Sequence, residues 1–120
     1  MFFKNILMCF LLITSLSVSN TYTGKPSFYT NKTNRYNGHN KTANGEIFNE
    51  NALTCASNKH KFNTLLRVEN INNKKSVICR VNDTGGFGKY NRVIDLSKAS
   101  FSKIANLKSG VVNVRISVVK

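Results

Sequence analysis

Residues 77–97 read VICRVNDTGGFGKYNRVIDLS. Two strand signals flank a glycine-rich loop. In the first, Val77, Cys79 and Val81 recur with period 2, the pattern of a half-buried strand. Asp83 closes that strand just before Gly85 and Gly86. A strand end facing a flexible loop is a common place for chemistry. It is equally a common place for a turn-forming Asp, whose side chain bonds nearby backbone amides. The residues themselves leave both readings open.

The same signals extend outward. TLLRVEN (64–70) and SVICRVN (76–82) flank the Asn-rich INNKK and read as a hairpin. VVNVRISVV (111–119) alternates, with Val112, Val114, Ile116 and Val118 on one face and Asn113, Arg115 and Ser117 on the other. RVIDL (92–96), ALTCA (52–56) and PSFYT (26–30) are further short strands, the last with Pro26 at its start, where a missing N–H is tolerated. One helix is expected over SKASFSKIANL (97–107), capped by Asp95 or Ser97 and stopped by Gly110. Six short strands with one or two short helices predict a mainly β chain closed, or nearly closed, into a barrel. The polar, Asn-rich residues 30–51 form a long loop within the domain, a length that is usually functional or disordered.

The first 19 residues have a different character. Lys4 precedes an apolar run from Ile6 to Ile13, and Ser17 and Ser19 sit like a cleavage signal. That is the layout of a secretory signal peptide, and the run is too short for a comfortable membrane span. The expected mature chain is about 100 residues, one domain in size. Export makes one disulfide the expectation for Cys55 and Cys79, with two small core thiols as the alternative. The period-2 neighbours Leu53, Val77 and Val81 are expected to point inward with the sulfurs.

The chain carries 18 Lys+Arg against 5 Asp+Glu, a formal net charge of +13. Such a surface attracts polyanions. For an exported protein those are cell-wall polymers and membrane surfaces before nucleic acid, and no nucleic-acid motif is visible. There is no G-x-S-x-G, H-E-x-x-H or Walker loop. His39 and His60 stand alone, so neither a metal nor a cofactor is expected.

The five acids are Glu46, Glu50, Glu69, Asp83 and Asp95. Glu69 near the hairpin turn and Glu50 in a turn read as solvated, and Asp95 as a helix cap or backbone-pairing group. Glycoside hydrolysis normally needs two carboxylates. Lytic cleavage of peptidoglycan can manage with one, because the muramic 6-hydroxyl itself attacks the anomeric carbon while a single carboxyl serves as acid and then base. A chain this poor in acids suits the one-carboxylate scheme, with Asp83 as its bearer.

Three blocks in order, TANGEIFNENALT (42–54), KFNTLLRV (61–68) and VNDTGGF…RVIDLS (81–97), resemble the rare lipoprotein A-like (RlpA-like) family of septal-ring lytic transglycosylases, over Lys25 to Lys120. The resemblance implies a six-stranded double-psi β-barrel related to expansins. It implies endolytic cleavage of glycan strands, preferably without stem peptides, leaving 1,6-anhydromuramic ends. A monomer at the periplasmic or extracellular cell wall is expected. The alternative is a non-catalytic, expansin-like module that binds or loosens the wall. The family's functional acids fall on Asp83 and Glu46. Thr54, Ser57, Tyr29 and Phe87 are the expected substrate contacts. Ser57 stands where the family often has His, Asn49 where Asp is common, and Thr84 and Gly86 where Arg and Pro are usual.

Overall fold

A computed structural model describes residues 21–31, 40–85, 87, 91–109 and 112–120. The expected signal peptide, His39, Gly86 and Gly110 lie outside the described residues. Six strands close into a barrel: β1 (Thr21–Tyr29), β2 (Thr54–Ala56), β3 (Leu65–Asn70), β4 (Ser76–Asp83), β5 (Arg92–Ser97) and β6 (Val114–Val118). The order around the barrel is β1-β5-β2-β4-β3-β6, with β6 returning to β1. β1/β5 and β2/β4 are parallel and the other neighbours antiparallel. Every strand therefore has two partners, and closure removes the exposed edges that invite aggregation.

The expected hairpin is β3/β4, with Glu69 opposite Ser76. Its alternation places Leu66, Val68, Val77, Cys79 and Val81 inside, together with Ile94, Leu96, Val114 and Ile116. Cys55 and Cys79 are joined by a disulfide between β2 and β4, with Cα atoms 5.8 Å apart and both residues fully buried. Leu53 departs from expectation. It is 42% exposed because β2 begins only at Thr54, so the period-2 pattern around Cys55 does not reach back to it.

The helix α1 (Lys98–Ile104) covers the barrel with Ser100, Phe101 and Ile104. Its cap is Ser97, whose Oγ accepts from the Ser100 N–H at 3.1 Å, and Asp95 is free for other work. The helix is shorter than expected. The Ile104 carbonyl, which another turn would need, accepts instead from the side-chain amides of Asn70 and Asn73, both at 2.9 Å.

Two register shifts shape the rim. Between β2 and β4, Cys55 pairs with Val81 but Ala56 pairs with Asp83, so Asn82 is an extra residue. In an unbroken strand Asp83 would share the inward face of Val81 and Cys79; the extra residue turns it to the outer face. Between β1 and β5, Lys25 pairs with Arg92 but Pro26 with Ile94, so Val93 is extra. That shift brings Arg92 and Asp95 to one face. Gly24 permits it: a Cβ there would stand 2.5 Å from Val93 Cγ1.

Candidate active site

Asp83 is half-buried at the end of β4. Its Oδ1 accepts the main-chain N–H groups of Ala43 and Thr84, each at 2.9 Å. Its own carbonyl accepts from the Ser57 N–H at 3.0 Å, which ties the end of β4 to the residue after β2. The carboxyl is thus oriented by two amides yet remains on the surface. Beside it Ser57, Asn58, His60, Lys61, Phe62 and Thr84 line a groove of about 340 Å³. Asn58 clasps the loop after Asp83, donating to the Gly85 carbonyl and accepting from the Gly85 N–H at 3.0 Å.

Glu46 does a different job. Arg80 donates to both of its oxygens at 2.8 Å, Asn82 to Oε1 at 3.2 Å and Asn44 to Oε2 at 3.0 Å. These bonds, Arg80 first, hold its carboxyl down at about 2. It is a permanent anion, not a proton carrier, near neutral pH. Its reach is structural: the turn it anchors, with the Thr42 N–H on the Glu46 carbonyl at 2.8 Å, is the turn that presents Ala43 to Asp83.

Asp95 belongs to the same region. It pairs with Ala56 from the β5 side, as Asp83 does from the β4 side. Arg92 donates to Asp95 Oδ1 and also to Ser27 Oγ. Burial pushes the Asp95 carboxyl up, Arg92 opposes this, and the charge of Asp83 adds to it. The Tyr29 hydroxyl is buried without a partner among the described residues, and its ring stacks on Phe48 at 4.5 Å. Burial raises its pKa, and the charges of Asp83 and then Asp95 raise it further.

The other expected contacts are dispersed. Ser57 lines the groove but is buried, and its Oγ accepts from the Lys59 N–H at 3.1 Å. Thr54 is buried, its hydroxyl without a partner among the described residues, and does not line the groove. Phe87 is half-buried under the Arg92 guanidinium, 6.0 Å from its ring centre, and crowds Gly85, where a Cβ would meet the ring at 2.6 Å. Asn58 carries no motif that marks it, and its clasp with Gly85 sets it beside the end of β4; Lys61 and Phe62 open the KFNTLLRV block, which does not mark them as groove residues.

The family model for lytic transglycolases matches residues 21–116. The chain belongs to that family. It is 49% identical over 79 residues to the endolytic peptidoglycan transglycosylase RlpA of Campylobacter jejuni, covering 66% of this chain and 28% of that protein. It is 42% identical over 97 residues to RlpA of Pasteurella multocida, covering 81% and 31%. The chain thus spans about three tenths of the length of these relatives. In fold it is similar to the Streptomyces papain inhibitor, at TM-score 0.65 and 22% identity over 85% of this chain and 96% of that one. It is also similar to a Clavibacter michiganensis expansin variant solved with cellohexaose, at TM-score 0.60 and 16% identity over 83% of this chain and 50% of that one. The RlpA-like lytic transglycolase domain is accordingly a double-psi barrel, here with one short helix among the described residues.

Proposed function

We propose that the chain is an exported, cell-wall-associated endolytic transglycosylase that cleaves peptidoglycan glycan strands and leaves 1,6-anhydromuramic ends. The observation that carries this reading is a barrel of the lytic transglycolase family with the half-exposed Asp83 carboxyl held by two main-chain amides, next to Thr84, which lines an open groove. Asp83 supplies the acid–base chemistry at the scissile bond. Glu46 acts through the turn that aims Ala43 at Asp83, as a positioning residue. Phe62 and the bases around the groove hold the strand, and Lys61 suits an anionic polymer. Among the described residues no helix is long and apolar enough to cross a membrane. We read the partner as the wall glycan, with other anionic wall polymers held by the diffuse positive charge, and the working form as a monomer in the periplasm or outside the cell.

The test uses purified protein and denuded glycan strands, with products read by mass spectrometry. Cleavage with anhydro ends supports the enzyme. Strand binding without products supports the second reading, an expansin-like wall-binding module. One observation favours that second reading: Ser57, whose hydroxyl accepts from the Lys59 main-chain N–H, puts no titratable group where the family often has His.

A further inference from the structure

Tyr22 of β1 and His60 of the segment after β2 meet beside the groove that His60 lines. The Tyr22 hydroxyl lies 2.9 Å from His60 Nε2, and the two rings stack with their centres 5.8 Å apart. The Lys59 ammonium covers the Tyr22 ring, 4.3 Å from its centre. Burial raises the Tyr22 pKa, so the phenol keeps its proton, and a hydrogen bond from Ser57 works against that rise. The Ser57 oxygen in turn accepts from the Lys59 main-chain N–H at 3.1 Å. One hydrogen-bonded run thus leads from the Lys59 main chain through Ser57 and Tyr22 to His60, and each hydroxyl in it can accept once and donate once. Burial, and then the charge of Lys59, lower the His60 pKa, so the imidazole is neutral near neutral pH.

We propose that His60 is a specificity-determining residue of the groove, which carries its proton on Nδ1 and offers that N–H to the acetamido carbonyl of an N-acetylated sugar. The proposal rests on the transglycosylase reading only in taking a glycan as the ligand of the groove. The Tyr22 hydroxyl, at the end of the run, gives its proton to Nε2. That bond fixes the tautomer, because the partner of one ring nitrogen decides which of the two is protonated. A neutral donor suits a neutral acceptor, and the amide carbonyl is the strongest neutral acceptor on an N-acetylated glycan. A plain glucan has only hydroxyl and ether oxygens and serves the donor less well, which costs affinity. Phe62, 41% exposed in the same lining, offers an apolar face to the sugar ring. The groove, about 340 Å³, has the size of a small-ligand site.

Chitotetraose and cellotetraose, tetramers of N-acetylglucosamine and of glucose, differ at the acetamido group. NMR shift titrations of the purified protein with each sugar read binding without any need for cleavage. Wild type should bind chitotetraose about 10-fold more tightly than cellotetraose. His60→Ala should close that gap by weakening chitotetraose alone, and His60→Gln, which keeps a side-chain N–H, should restore most of it. Nitrogen-15 NMR of wild type should show a neutral His60 with its proton on Nδ1, and Tyr22→Phe should release that tautomer and narrow the gap. Equal binding of the two sugars by wild type, or binding of neither, overturns the proposal. So does a wild-type His60 protonated on Nε2, or a gap that survives in His60→Ala. Cleavage of glycan strands by the same wild-type protein would leave the transglycosylase reading standing in each of those cases. Selective chitotetraose binding by a protein that never cuts strands would remove that reading and keep the role of His60.

Discussion

Replacing Cys55 and Cys79 together by Ala removes the one covalent tie between β2 and β4. The two residues are 24 apart in sequence. Loop-closure entropy for a ring of that size gives the tie about 3.5 kcal/mol at 25 °C. Both sulfurs sit in the core, fully buried, so their loss adds about 1 kcal/mol of packing. For a domain of this length each kcal/mol moves the melting temperature by about 4–8 °C, so the double variant should melt about 18–36 °C below wild type. Circular dichroism melts of the oxidised wild type and the variant measure the difference directly. The consequence reaches the rim, because the tie sits at Cys55, one residue before the step that turns Asp83 outward. A melting difference under about 5 °C, well below the range expected from the chain entropy, would refute the reasoning. So would two reactive thiols, besides Cys9, in wild type unfolded without reductant.

Glu46→Gln should cost stability only where Glu46 is ionised. Its folded value, about 2, lies below the ordinary 4.5, so its contribution is present above 4.5 and lost as pH falls toward 2. Because the side chain is 39% exposed, that contribution is discounted to about 1 kcal/mol. Urea midpoints of wild type and variant should differ at pH 6 and meet near pH 2; a gap that persists at pH 2 contradicts the ion-pair account. Ser97→Ala should destabilise by about 2 kcal/mol, since the buried hydroxyl both caps α1 and donates to the Ala52 carbonyl at 2.6 Å; an unchanged urea midpoint would reject this. Gly24→Ala should cost about 1–3 kcal/mol in the same assay, because the new Cβ meets Val93 at 2.5 Å.

The hairpin, the terminal alternating strand and the capped helix were legible because their signals are local: period 2, Asn-rich turns, and a Ser three residues before the amide it caps. What escaped is non-local. Glu69 reads as solvated, yet it pairs with Arg115 at 3.0 Å, 46 residues away. Asp95 reads as a cap, whereas the structure gives it to Arg92. Its row with Ala56 and Asp83 depends on two register shifts and on a parallel pairing that no periodicity encodes. Glu46 was marked by resemblance, but its lock onto Arg80 arises only when a loop and a strand 34 residues apart meet. Tyr29 offered a ring to a sugar on paper; in the fold Phe48 stacks on it.

The measurement that bears most directly on the account is cleavage of denuded glycan strands by wild type and Asp83→Asn, with the two matched for melting temperature. Wild type should yield anhydro-ended fragments, and the variant none above background. Equal product from both, or fragments that end in a reducing sugar, would contradict it.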